Sequence, residues 1–390
     1  MSGRSSSTGN SADRCCGGIG RAGAGGPEVR TVLGSIPTSA VVGPVMMHEH
    51  LLWDARGQWE SIGGNPTKRL ALEHGRVPFR ADLAGPARFN VLSYRENWAN
   101  SGATGLQRAV AEVAYLLEAG GVMVVDLTPH GIGPDPGGLR RLSTTTGLHV
   151  VAGSGIYTHD THESWMETAT VEEFETFFRK EVSDGIGASA VRPGILGEMG
   201  TSARPRSCEL RALRAAARVA AGSGLSLNIH CHPGSQRVTE LLIDITTEEG
   251  LSPERTILSH LDEIASHAYL SSVLARGVTL CFDGFGHDHY AGSDAKRRSD
   301  RQKMRMLARL VNDGRAPQLT MSQDVCRLHM MRRFGGGGYD HVLARVVPTL
   351  RGSFDLDDDA LRQILETNPR RLLEISGPPN HTRQSPMART

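Results

Sequence analysis

Between about residue 105 and residue 321 the chain alternates between two hydrophobic periods, and this alternation restricts the fold more than any other feature. Residues 106–119 place Leu106, Val110, Val113 and Leu117 on one helical face, closed by Gly120-Gly121. Residues 122–127 then form an unbroken apolar run, the pattern of a strand buried on both faces. The same reading predicts helices over 139–146, 171–182, 210–221, 236–249, 265–275 and 301–312. Between them it predicts strands over 149–152, 194–196, 225–230, 256–260, 278–282 and 318–321. With a further strand at Val45, eight strands have helical connections, which implies a parallel sheet and fits a closed (β/α)8 TIM barrel. An open doubly wound sheet is the alternative, but no G-x-G-x-x-G follows the first strand. The run F-G-G-G-G-Y at 334–339 lacks the Lys-Ser/Thr of a phosphate loop and reads as a flexible turn before a helix from Asp340.

Outside this unit the sequence changes character. Residues 1–28 are rich in Ser, Gly and Arg without an apolar core, so they read as a disordered tail rather than a secretory signal. The barrel is expected over 29–376, with a flexible tail over 377–390. The connection from Leu52 to Ser101 is too long to be structureless, and short helices covering part of the barrel mouth are expected there. With 43 basic and 42 acidic residues, composition offers no electrostatic case for nucleic acid or an anionic membrane. The apolar runs are strand-sized, far short of a membrane span. Six cysteines without a C-x-x-C pair suggest reduced, mostly buried thiols rather than a zinc knuckle or redox motif. A cytoplasmic protein, with a homodimer as the default assembly, is the expectation.

Ligand-type residues recur where such barrels carry their chemistry, at the C-terminal ends of strands. His48 and His50 end strand one, Glu198 strand four, His230 strand five and His260 strand six, and Asp324 follows strand eight. Residues two apart on a strand share a face, so His48 and His50 can aim at one point. A single histidine at a strand end is more often a hydrogen-bonded core residue, and a lone Asp324 could cap a helix. Six such residues at one end of one barrel instead suit two divalent cations bridged by a carboxylate. Zinc is the expected metal, with manganese or cobalt accommodated by the same donors. In His230-Cys231-His232, His232 shares the face of His230 and could replace it or help bind substrate; His230 is preferred because it closes the apolar run.

Several ordered motifs bear a likeness. They include M-H-E-H-L at 47–51, V-D-L-T at 125–128, G-I-G-P-D-P at 131–136 and G-I-L-G-E-M-G at 194–200. L-S-H-L-D at 258–262, S-Q-D-V-C at 322–326 and E-T-N-P at 366–369 continue the series. Over residues 29–376 the chain resembles the phosphotriesterase-related proteins of the amidohydrolase superfamily. The resemblance implies that His48, His50 and Asp324 hold one metal and His230 and His260 the other. The residue ending strand four would bridge them. In phosphotriesterases proper that bridge is a carboxylated lysine, yet the four lysines here, Lys68, Lys180, Lys296 and Lys303, lie elsewhere. Glu198 is therefore the candidate for the bridge that the resemblance implies, as in the related branch with a G-E pair. Pro134 stands where relatives commonly have arginine, which removes any substrate contact made by that arginine.

Two bound cations would bring the pKa of a shared water to about 7, and the metal-bridging hydroxide would attack a carbonyl carbon or phosphorus. Asp324 is the expected catalytic proton shuttle. Asp262 and Asp283 are expected to orient ligands or relay the proton. Tyr157 and Trp165 after strand three, His232, and the segment from Phe285 through His287 to Tyr290 are the expected substrate pocket. The substrate is expected to be a small molecule cleaved at a carboxylic ester, lactone or amide bond. Phosphoester hydrolysis is the alternative, and a non-catalytic ligand-binding barrel the alternative of another class.

Overall fold

The computed structural model describes residues 26–61, 77–232, 234–263, 265–287 and 298–375. Eight parallel strands form one sheet in chain order: β1 (Val45–Glu49), β2 (Met123–Asp126), β3 (His149–Ser154) and β4 (Ile195–Gly200), then β5 (Leu227–His230), β6 (Thr256–Ser259), β7 (Thr279–Phe282) and β8 (Leu319–Met321). The edge strands β1 and β8 meet through His48, whose N–H donates to Ser322 Oγ (3.0 Å) and whose carbonyl accepts from the Asp324 N–H (3.1 Å). The result is a closed (β/α)8 barrel. Among the described residues, seven helices of eight residues or more connect the strands: α1 (Gly102–Glu118), α2 (Pro136–Thr146), α3 (Val171–Asp184), α4 (Ser207–Ser223), α5 (Gln236–Glu248), α6 (His267–Leu274) and α7 (Asp300–Asn312).

Each strand buries both faces, as the unbroken apolar runs require. Val45, Met47, Met123, Val125, Val151, Ile195, Ile257 and Cys281 form one cluster that fills the barrel, floored by Val29, Val41 and Leu372. Met46, Val124, Val150, Leu196, Leu258 and Leu280 belong to a second cluster shared with the helices. Small residues Ala212, Ala215, Ala216 and Ala220 line the buried face of α4 and let it approach the sheet closely. Thr170 and Glu173 cap α3 reciprocally, each side chain accepting the other's backbone N–H (3.2 and 2.7 Å).

The N-terminal boundary differs from the sequence reading. Glu28, read as tail, opens a strand (Glu28–Thr31) that pairs with Gly34–Pro37 and with Glu374–Ile375, so the first and last segments of the domain are tied together. Residues 1–25 and 376–390 lie outside the described residues, and with them most of both expected tails. The connection after β1 does hold short helices, Arg56–Ser61 and Ala84–Phe89. The glycine run at 334–339 is not a loose turn. Its Tyr339 is fully buried, its hydroxyl donates to the His50 carbonyl (2.7 Å), and Gly336 packs so tightly on the Met330 carbonyl that no side chain would fit. A π-helical turn, Val342–Val346, follows and leads into a helix (Val347–Ser353).

One buried carboxylate joins α3 to the strands. Glu181 accepts from Ser154 Oγ (2.5 Å), His130 Nε2 (2.8 Å) and the Gly187 N–H (3.0 Å). Burial acts to raise its pKa, but the His130 contact and the other hydrogen bonds outweigh it and hold Glu181 below the usual carboxylate range. A depressed folded-state pKa contributes stability that is present above about pH 4.3 and lost as pH falls through the folded value. Glu181→Gln is expected to lower unfolding free energy by about 1–3 kcal/mol at pH 7, measured by urea titration. The gap from wild type should narrow as pH falls below about 4.3 and through the depressed native pKa, where the buried carboxyl itself takes up a proton.

Candidate metal centre

All six residues predicted to be ligands converge at the C-terminal mouth. Glu198, at the end of β4, lies at the centre. Its Oε1 is 2.8 Å from His230 Nδ1, 3.0 Å from His260 Nε2 and 3.6 Å from His48 Nε2, and its Oε2 is 4.0 Å from His50 Nε2. Asp324 Oδ1 is 3.1 Å from His50 Nε2 and 3.7 Å from His48 Nε2. The ligand atoms thus form two groups, His48 with His50 and Asp324, and Glu198 with His230 and His260. His260 and Asp324 hold left-handed backbone conformations (φ 67° and 47°), a cost of about 1–3 kcal/mol each that packing around them must sustain.

How β1 aims its histidines was not evident from strand alternation. Val45 and Met47 face the barrel interior, so regular pleating would send His48 outward. The register with β2 shifts between Met46 and Glu49, and this irregularity turns His48 and His50 to the centre. Glu49 then points away and is fully buried. Its carboxylate accepts from Ser322 Oγ (2.6 Å), Gln323 N–H (2.8 Å), Gln323 Nε2 (2.7 Å) and Val325 N–H (3.0 Å), holding the loop that carries Asp324.

The rings are oriented from behind. Asp283 reaches two of them, with Oδ2 2.9 Å from His48 Nδ1 and Oδ1 3.0 Å from His260 Nδ1, and it also accepts the His260 N–H (2.9 Å). Ser259 Oγ lies 3.0 Å from His48 Nδ1, and Thr128 Oγ1 3.0 Å from His50 Nδ1. A proton directed to Nδ1 leaves Nε2 of His48, His50 and His260 as the lone-pair donor facing inward. Asp262 stands further back, accepting the Gly284 N–H (3.1 Å), with burial and the neighbouring Asp283 pushing its pKa up to about 7. Sequence reasoning missed Glu49, Ser259 and Thr128; Glu49 could have been singled out as an acid placed between two ligands.

The electrostatics demand positive charge at the centre. Burial would raise Glu198 and Asp324, but the surrounding histidines hold Glu198 well below the carboxylate range and Asp324 at about 2. Burial would likewise lower His48, yet Glu198, Asp283 and Asp324 raise it to about 9.

The predicted substrate residues are dispersed. Tyr157 lines the cavity above the centre, its ring 5.2 Å from that of His230. His232 is exposed, its Nδ1 accepting the Gly234 N–H at 3.3 Å. Phe285 is wholly buried in the helix-side core, and Trp165 packs on Phe174 and Phe177. His287 is buried behind the loop after β8, its Nε2 2.8 Å from the Gln323 carbonyl. Tyr290 lies outside the described residues. The cavity is instead walled by Trp53, Ala55 and Gln58 from the loop after β1, by Ile132, and by Cys326 and Arg327 beyond β8.

Residues 27–373 match the sequence profile of the phosphotriesterase family. The chain belongs to that family. It is 32% identical over 291 residues to a human protein named N-acetyltaurine hydrolase, covering 73% of this chain and 81% of the relative. The rat protein of the same name is 29% identical over 353 residues, covering 89% and 97%. Among solved structures, a resiniferatoxin-binding protein from Rhodobacter sphaeroides superposes with a TM-score of 0.82 at 32% identity, covering 90% of this chain and 96% of its own. The phosphotriesterase homology protein from Escherichia coli, at 20% identity, shares the fold with a TM-score of 0.68, covering 85% and 99%. The chain is thus a phosphotriesterase-family hydrolase, and the family is metal-dependent. The residues present fit that chemistry on one observation above all. His48 Nε2 is completely buried and has no hydrogen-bond partner among the described residues, a cost of about 1–3 kcal/mol that an ion would relieve. Among the described residues, no helix is long and apolar enough to cross a membrane.

Asp283 touches two ligand histidines at once, so its loss should weaken both groups. Asp283→Asn is expected to lower metal affinity by about 10–100-fold, read by chelator competition, with far-UV circular dichroism unchanged.

Proposed function

We propose that this chain is a metal-dependent amidase that hydrolyses a small N-acyl compound. The observation that carries the proposal is the Glu198 carboxylate, with Oε1 within 3.6 Å of histidines from three strands at the base of a closed-in cavity. Two divalent cations would be held by His48, His50 and Asp324 and by His230 and His260, with Glu198 shared; zinc, manganese and cobalt all suit these donors. A bound pair supplies Lewis acidity and a water acidified to near neutral pH. Asp324, ionised and at the cavity wall, would take a proton from the attacking water and return it to the amine nitrogen, which leaves only once protonated. Asp283, Ser259 and Thr128 keep the imidazoles in one orientation, so little reorganisation accompanies reaction.

The choice of amide over phosphoester is supported by the names of the relatives that align along most of the chain, N-acetyltaurine hydrolases from human and rat. It is supported too by the glutamate bridge, which differs from the lysine of phosphotriesterases proper. Esters and lactones share the same carbonyl addition and remain within reach of the same groups. A binding barrel without turnover is the second reading, favoured by the similarity to the resiniferatoxin-binding protein.

The test combines metal content by mass spectrometry with rates on N-acetyltaurine, a lactone, a phosphotriester and a phosphomonoester. About two metals per chain, turnover abolished by chelation and the amide cleaved fastest are expected. Glu198→Ala should abolish turnover with the fold retained. Absence of metal after reconstitution, or preference for a phosphoester, would sink the amidase reading. Ligand binding without turnover in the metal-loaded wild type would establish the second.

A further inference from the structure

We propose that Arg327 forms an anion-recognising subsite, so that the amine half of the substrate ends in a carboxylate or sulfonate. The reaction assumed is the amidase reading above; the anion subsite rests on geometry of its own. Arg327 lies three residues beyond Asp324 in the loop held by Glu49, and it lines the same cavity. Its guanidinium carbon is 3.5 Å from the centroid of the Trp98 ring, a stacked arrangement that fixes the plane of the fork.

One of its N–H groups is satisfied internally, Nη1 donating to the Cys326 carbonyl at 2.6 Å. It makes no ion pair among the described residues. The cavity carboxylates, Glu198 and Asp324, are already engaged by the histidines. Apart from those histidines, Arg327 is the one cationic side chain of the cavity lining among the described residues. A half-buried guanidinium that faces a cavity and has no ion-pair partner among the described residues calls for an anion from outside.

A second donor points the same way. Trp53 is buried (1% exposed) and lines the cavity, and its indole Nε1–H has no acceptor among the described residues. Beside it, Gln58 brings a side-chain amide to the wall. Planar guanidinium with an indole N–H suits an oxyanion with two or three equivalent oxygens. Three residues of chain span at most about 11 Å, which keeps the anion close to the reacting carbonyl and limits the amine half to a few carbons. Ala55 and Ile132 leave an apolar wall for a short acyl group.

The metal-loaded full chain should be assayed on N-acetyltaurine, N-acetyl-β-alanine and neutral N-propylacetamide. Wild type is expected to favour the anionic amides at least about tenfold in kcat/KM. Arg327→Gln should lower kcat/KM on them by about 10–100-fold, chiefly through KM, collapsing the anionic-to-neutral ratio, while Arg327→Lys recovers part of it. An equal fall on all three substrates would assign Arg327 a merely structural role, and a wild-type ratio near one would remove the subsite; either overturns the proposal. Calorimetry with taurine separates the two readings. Taurine binding that is lost in Arg327→Gln, in a protein that cleaves no amide, would uphold the subsite while the amidase reading fell.

Discussion

The carboxylate of Glu49 is the interaction on which both the barrel and its centre depend. β1 and β8 are the two ends of an eight-stranded sheet, and the polypeptide beyond β8 must be brought against β1 for the barrel to close. Glu49 does this with four hydrogen bonds from Ser322, Gln323 and Val325, all within 3.0 Å. A buried carboxylate is costly unless its lone pairs are occupied, and here they are. The same contacts set Asp324 beside His48 and His50, so closing the fold and assembling one side of the metal group are a single event. Burial raises the Glu49 pKa against the lowering effect of these hydrogen bonds, which shows how completely the group has been taken from water.

The centre is locally unfavourable and is sustained by its surroundings. Two of its residues occupy left-handed conformations, His48 Nε2 is unpartnered, and the carboxylates of Glu198 and Asp324 face the same space. Bound cations would offset the unpartnered nitrogen and the facing carboxylates together, which would link metal affinity to folding free energy. A protein of this construction keeps its ligands in place by hydrogen bonds at their backs, not by the ligands' own packing. Ser259 illustrates the economy of the arrangement. Its hydroxyl lies 3.0 Å from His48 Nδ1 and also meets the side-chain amide of Asn228, so β5, β6 and β1 are registered by one oxygen.

The barrel was legible in the sequence because parallel strands buried on both faces must be continuous apolar runs, and the predicted boundaries of β2 through β8 fall within a few residues of the observed ones. The six ligand-type residues were legible for a related reason: in this architecture the end of an apolar run is the mouth. What periodicity could not convey is which side chain from one loop meets another. Trp53, Gln58 and Arg327 reach the cavity from segments without regular period, while Phe285, aromatic and next to the mouth in sequence, turns into the core. Likewise the register shift in β1 leaves no trace in the pattern V-M-M-H-E-H, where alternation alone would have turned His48 outward.

Glu198 in place of a carboxylated lysine changes what β4 must do. A glutamate carries its carboxylate on two methylenes, far less reach than a lysine with an added carboxylate, so the backbone itself has to approach the centre. The neighbouring glycines permit this. Gly155 on the adjacent strand end abuts the Glu198 carbonyl so closely that any side chain would collide with it, and Gly197, at φ 110°, leaves no space against the Asn228 carbonyl. The shorter side chain also has fewer rotatable bonds, which reduces the entropy lost when the carboxylate is fixed between four histidines. The chain thus substitutes backbone proximity, secured by glycine, for side-chain length, and the Glu198 carboxylate stands among the histidines as soon as the polypeptide folds, without a covalent modification.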